Sequence, residues 1–455
     1  MPGTDRSGLL DLFVNALPES FFAQLHEEFK IPVRVRIFTL PLVMWLMISQ
    51  RLDPKGTLSS AVQQVVQRRP RVLLSDHKRI REDKVSCSTT AYCDARHELP
   101  LKLIEKVADR VVDQLTLHRP QALPDWDRRV LVLDGTAVEA QHTPELVEAY
   151  PPAPNQYGAS HWTVLKMVVA DELTTGLIER PCWGPMYGPK PVSEQALAER
   201  IMSQLPAASV VMADINFGVF SVAYSTGQEG HDSLFRLQQR RALAMGRGLP
   251  MRPGTDAPFC WRPSRADRKS HPDLPADACV RGRLIYVRIT SSNGASTDLY
   301  FFTTLDLPVE KILQLYGKRW NIETDFRSLK ETLQLEILTS KSVEMVSKEL
   351  ILAIGAWNLV RAVMNAAATQ YNLDPKRLSF SRCQDVVNAA LPGLDAAPTT
   401  DEYQARLRRM LKLVASCKLP DRSGRPSYPR AVWGHSCKFP KRKAPPQEKQ
   451  EEVRK

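Results

Sequence analysis

Residues 128–136 read "RRVLVLDGT", and residues 208–220 read "ASVVMADINFGVF". Each holds a short unbroken apolar run that ends on an aspartate, Asp134 after Val130–Leu133 and Asp214 after Val210–Ala213. Apolar runs of this length, bounded by turn residues, suit strands buried on both faces, as in a sheet covered by helices. A carboxylate at the exit of such a strand sits at a sheet edge, where α/β sites form. The first run is expected to stop at Asp134-Gly135, and the second to pass into a helix at "INFGVF". Asp171 also follows an apolar run, "MVVAD". A Thr-Thr-Gly turn and another strand come after it, which assigns it to a hairpin turn rather than to the site.

Working outward, residues 1–125 alternate apolar-periodic stretches with polar breaks, as in "LPLVMWLMISQRL" and "PLKLIEKVADRVVDQLTL". They read as a helical N-terminal domain, assigned to DNA binding, with a basic segment at "QRRPRVLLSDHKRIREDK". Residues 126–240 mix buried strands with helices, and residues 306–370 return to a helical pattern. Together they form the expected α/β core. Residues 241–305 differ in texture and contain two clear strands, "GRLIYVRIT" and "TDLYFFTTL", an antiparallel β insert. Residues 371–455 are expected to be a helical region followed by a basic tail.

The segment "YGKRWNIETDFRSLK", Tyr316 to Lys330, reads as one helix. At 100° per residue, Tyr316, Arg319, Glu323 and Lys330 fall within a sector of about 60°. Leu315, Ile322, Phe326, Leu329 and Leu333 fall in another. The helix therefore has an ordinary buried face, with a charged stripe along its edge looking into a cleft. Its single stripe carboxylate is a poor holder of a divalent cation by itself. Asp134 and Asp214 supply the missing partners. Three carboxylates from separate elements suit two Mg²⁺ ions roughly 3.5–4 Å apart, with Mn²⁺ able to substitute. Arg319 and Lys330 would then clamp phosphate oxygens, and Tyr316 would bond a phosphate or stack on a base.

Tyr316, Arg319, Glu323 and Lys330 carry the pattern Y-x2-R-x3-E-x6-K without a spacing departure. With "LDGT" at Asp134, "ADINF" at Asp214 and "GRPSYPR" near the C-terminus, the sequence resembles the DDE-class DNA transposases of the insertion-sequence-four type. The resemblance covers about residues 30–430. It implies a ribonuclease-H-like core interrupted by the β insert, with Asp134, Asp214 and Glu323 as metal ligands. It implies that Tyr316, Arg319 and Lys330 touch the transposon end. Relatives cut and paste DNA through a hairpin at the element end, with one base flipped out. Here Trp320 is the candidate for that base, and Tyr300 or Phe301 are weaker ones. The implied partners are transposon-end repeats, target DNA and a second copy of the chain, with the dimer contact placed near 345–415. A bacterial cytoplasmic, nucleoid-associated location follows. One departure is that Ile215 and Asn216 stand where relatives often carry a basic residue. The alternatives are a catalytically silent DNA-binding relative and a stand-alone nuclease of the same core.

The bulk composition agrees. The chain has 455 residues and a net charge of +12. From Arg406 to Lys455 there are 15 Lys or Arg against 4 Asp or Glu, so the excess lies in the tail, as suits a polyanion. The eight cysteines form no CxxC, which argues for buried thiols and against a structural zinc. "IFTLPLVMWLMI" is taken as the longest apolar stretch, too short for a bilayer and interrupted by Pro41, hence a core helix. The start of the chain shows no secretory signal.

Overall fold

The computed structural model describes residues 8–420, apart from 32–35, 54, 118–122, 124–125, 156–157, 291–295, 322–328, 330–334 and 336. Seven helices come first: α1 (Leu9–Ala16), α2 (Glu19–Glu28), α3 (Leu40–Leu52), α4 (Leu58–Val66), α5 (Lys78–Arg81), α6 (Thr90–Glu98) and α7 (Leu101–Thr116). Pro41 does not break α3. It sits in the first turn, where the missing N–H costs nothing. Leu42 through Ser49 are all buried, so α3 is the core helix its composition suggests. α4 starts on a reciprocal cap between Thr57 and Ser60.

The strands and helices that follow are β1 (Val130–Ala140), α8 (Pro144–Ala149), β2 (Pro152–Asn155), β3 (Gly158–Glu172), β4 (Cys182–Pro185), α9 (Glu194–Ile201), β5 (Val210–Ala213), α10 (Phe220–Gln228), β6 (Asp232–Arg236), α11 (Gln239–Met245), β7 (Thr255–Trp261), α12 (Arg265–Ser270), β8 (Val280–Thr290), β9 (Ser296–Thr303) and α13 (Val309–Gly317). They are followed by α14 (Val343–Gln370), α15 (Phe380–Asp395) and α16 (Thr400–Ser416). Among the described residues, nine strands share one mixed sheet, ordered β2-β3-β1-β5-β6-β9-β8-β7, with β4 also on β3. β1, β5 and β6 are parallel, and the other pairings are antiparallel.

Alternation along β1 and β5 sends neighbouring residues to opposite faces. Val130, Val132, Val210 and Met212 join the core under α13 and α14. Leu131, Leu133, Val211 and Ala213 join the one under α9 and α10. The sheet is thus covered on both faces, as the unbroken apolar runs imply.

Two expectations are corrected. β1 does not stop at Asp134-Gly135. It runs on to Ala140 because antiparallel β3 pairs with it throughout, from Leu131↔Glu172 to Ala140↔Thr163. What stops early is the parallel pairing with β5, which ends at Val132↔Met212. The segment from Tyr316 is also not one regular α-helix. α13 ends at Gly317, and Lys318–Asn321 tighten into a 3₁₀ turn. In the stretch 241–305, the expected antiparallel hairpin forms between β8 and β9. It extends the main sheet, because β9 pairs with β6.

Among the described residues, α14 is the helix long and apolar enough to cross a membrane, and α3 is a shorter apolar one. An 18-residue window of α14 has mean hydropathy 1.5, but 83% of that window is buried inside the protein, so it is an interior helix. α1, α3 and α7 pack against it. On its other side Trp357 donates to the Gly176 carbonyl (2.8 Å). Asn358 accepts from the Ile178 N–H and donates to the Ile178 carbonyl, both at 2.8 Å. The Arg361 guanidinium lies over the rings of Trp357 and Phe380, themselves stacked at 4.0 Å. The seven described cysteines are free thiols, but against expectation only Cys383 and Cys417 of them are buried, and Cys87 and Cys260 are exposed.

Candidate active site

The site forms where the β1–β5 pairing ends. Asp134 lies two residues past Val132 on β1, and Asp214 lies one residue past the end of β5. Both share parity with the valines before them, so both carboxylates emerge on the face covered by α13. After Asp214 the chain makes a turn over residues 215–217 and enters α10 only at Phe220, the last residue of the stretch read as the helix start. The Asn216 backbone N–H donates to Asp214 Oδ1 (2.9 Å), and the Gly135 N–H donates to Asp134 Oδ1 (2.8 Å).

The Asp134 carboxyl is pushed up to about 6. Burial is the main cause, and the nearby carboxylates of Asp214 and Glu194 add to it. The Gly135 N–H and the Arg319 guanidinium pull the other way without cancelling it. Half-buried hard oxygens that repel one another, with too little positive charge between them, are the donor set that a divalent cation offsets. Among the described residues, no three acidic, His or Cys side chains already stand in metal-holding geometry.

α13 supplies the other side of the cleft. Tyr316 is buried at 9% exposure, and its ring meets Phe301 edge-on at 4.8 Å. The Arg319 guanidinium lies 5.6 Å from the Tyr316 ring centre. The Tyr316 hydroxyl is buried without a hydrogen bond of ordinary geometry. Burial raises its pKa, and Arg319, Arg236 and Asp214 also act on it. The structure therefore brings together Asp134, Asp214, Arg319 and Tyr316. Glu323 and Lys330 lie outside the described residues. The backbone of Trp320 belongs to the 3₁₀ turn. Tyr300 is buried at the β9 end of the sheet and stacks on Tyr286 at 4.4 Å. Asp171 is fully buried at the turn end of β3, 3.7 Å from Lys376. That agrees with keeping it out of the site.

Glu194, the first residue of α9, escaped the sequence reading. Its carboxylate lies against Gly135, and the Asn216 side-chain amide donates to it. Ser193 caps α9, so in the sequence Glu194 looks like an ordinary first-turn acid. Nothing there indicates that it reaches a strand some 60 residues earlier.

The transposase DDE domain family matches residues 125–359, more than half of the chain. The chain belongs to that family and is a DNA-cleaving transposase. Its similarity reaches a particular insertion-sequence enzyme, the transposase InsG for insertion sequence element IS4 of Escherichia coli (strain K12). The two are 25% identical over 431 residues, which span 93% of this chain and 91% of that protein. The resemblance drawn from the Tyr316–Lys330 pattern is thereby borne out at the level of the family.

Proposed function

We propose that the protein performs Mg²⁺-dependent cut-and-paste transposition, nicking transposon ends, passing through an end hairpin and joining the freed end to target DNA. The observation that carries this is the meeting of Asp134 and Asp214 where the parallel pairing of β1 and β5 ends, with Arg319 and Tyr316 beside them. The strand order β3-β1-β5-β6, antiparallel at β3 and parallel thereafter, supports a ribonuclease-H-like core. In this reading residues 126–240 and 306–370 form the core, 1–125 bind DNA, 241–305 form the insert, and 371–455 add helices and a basic tail.

Asp134, Asp214 and Glu323 would hold the ions. When bound, the ions supply activation of the attacking oxygen and neutralisation of the leaving one. The chain's own groups do the rest. Arg319 and Lys330 orient the scissile phosphate by charge-assisted hydrogen bonds. The Tyr316 hydroxyl has a bond to give and lies on the same side of the cleft, suited to a phosphate oxygen. Trp320 is the candidate to stack on an extruded base. Tyr300 is the weaker one, since Tyr286 covers one of its ring faces. A homodimer brings two ends together in a bacterial cytoplasm, at the nucleoid.

The test is D134N, D214N and E323Q, each assayed on labelled transposon-end DNA with Mg²⁺ or Mn²⁺. Each should lose cleavage by a factor of 10³ or more, on the order expected for removing a metal ligand or a charge-stabilising group. Band-shift affinity for the end should stay within a few-fold. Cleavage retained in all three would overturn the assignment.

A further inference from the structure

Past the Val132↔Met212 pair, β1 continues to Ala140 while β5 ends one residue later at Ala213, so the sheet opens between β1 and the Asp214 turn. The two aspartates enter this opening from the α13 face. Glu194 enters it from the α9 face. A Cβ added at Gly135 would lie 2.6 Å from Glu194 Cδ and 2.7 Å from its Oε1. The glutamate carboxylate thus occupies the space that any side chain at 135 would need, beside the peptide unit whose N–H holds Asp134.

Asn216 ties this carboxylate to the second aspartate. Its backbone N–H holds Asp214 (2.9 Å) and its side-chain N–H₂ holds Glu194. Gln195 in turn fixes Asn216, donating to its side-chain oxygen (2.9 Å) and its backbone carbonyl (2.8 Å). The chain has therefore placed a neutral amide beside Asp214 and an extra negative charge next to it. A first-turn acid on α9 needs none of this and would do its helix-end work pointing into solvent. A second observation, on the α13 face of the same centre, also points to a ligand beside Asp214. The Tyr316 hydroxyl is nine-tenths buried, lies beside Asp214 and Arg319, and makes no hydrogen bond of ordinary geometry.

We propose that Glu194 is a further carboxylate of the metal centre, acting through ion-bound water from the α9 side of the sheet, with Asn216 as the brace that aims it. This rests on the reading of Asp134 and Asp214 as ion-holding residues. Glu194 is thus a positioning residue. Gly135 is required because it leaves room for that carboxylate. The Asn216 amide takes the place of a cation because a cation there would compete with the ion for Glu194.

The readout is Mn²⁺ binding to the full chain without DNA, by calorimetry and by the electron-spin signal of free Mn²⁺. Wild type, E194Q, G135A and D134N are compared at equal thermal stability. E194Q should bind Mn²⁺ roughly tenfold more weakly, the scale of losing a group that orients a metal's ligands. G135A should weaken binding similarly, because its methyl displaces a carboxylate that is still present. The Mg²⁺ needed for half-maximal end cleavage should rise in parallel. Mn²⁺ affinity within twofold of wild type in both E194Q and G135A overturns the proposal, while lost binding in D134N leaves the site reading standing. Should D134N bind Mn²⁺ like wild type, both the site reading and this inference fall.

Discussion

Replacing Asp134 by Asn in the metal-free protein should make the fold more stable. The Asp134 carboxyl titrates near 6, against an ordinary value of 3.8. Its folded pKa is raised, so the stability linked to its proton is complete below about pH 4 and is lost as pH rises through about 6. A shift of about two units corresponds to roughly 3 kcal/mol once the group is fully ionised in the fold. Asn carries no charge and still offers Oδ1 to the Gly135 N–H, so the hydrogen bond survives. D134N in EDTA should therefore exceed wild type by about 1–3 kcal/mol at pH 8, with the gap closing toward pH 4–5. Saturating Mg²⁺ should narrow or reverse the gap at pH 8, because only the wild type gains the full linkage to the ion. The assay is urea unfolding followed by fluorescence at both pH values, with and without Mg²⁺. If D134N in EDTA is no more stable than wild type at pH 8, the charge crowding inferred at the site is wrong.

Three further outcomes are expected. Arg129 forms a nearly buried ion pair with Glu179, whose carboxyl is pushed up to about 7, first by burial. R129M strands that charge and should cost about 3–5 kcal/mol at pH 8. The loss should shrink below pH 6, where Glu179 takes up a proton, and equal losses at both pH values would count against it. Y316F removes a hydroxyl that has no ordinary hydrogen bond. Thermal stability should hold or rise by up to about 1 kcal/mol while end cleavage falls, and a Tm loss of several degrees would argue against an orphaned group. A Cβ at Gly218 would lie 2.4 Å from the Arg236 carbonyl. G218A should cost about 1–3 kcal/mol by overpacking and should slow cleavage by moving the Asp214 turn, as melting and cleavage assays would show.

Much of this architecture is readable from residue order. The run Val210–Ala213 is apolar at every position, and its strand stops at Asp214 as read. "GRLIYVRIT" and "TDLYFFTTL" alternate around a Gly-containing loop, and they pair in register. Misreadings arise where a distant partner decides. Gly135 looks like a strand stop, yet β3, more than 20 residues later, keeps β1 extended through it. β7 contains Pro258 and lies in a stretch rich in Pro, Gly and Arg, so pairing with β8 rather than local preference makes it a strand. The 3₁₀ turn at Lys318–Asn321 leaves no mark in residue spacing. Asp134 lies within β1 and is set off only by the end of the pairing with distant β5, whereas Asp214 was legible because its place one residue past the end of β5 is local information. Glu194 was not, because its importance lies in which strand its helix crosses.

Asn358 bonds to the turn after β3 as another strand would, while α1, α3 and α7 rest on the same helix's flanks. α14 is therefore an axle common to both halves of the molecule, and neither half has a finished interior without it. A fragment ending before residue 343 would leave bare the grooves that this helix fills, and it should aggregate when expressed alone. Grafting the front helices onto a related enzyme would have to carry the axle with them.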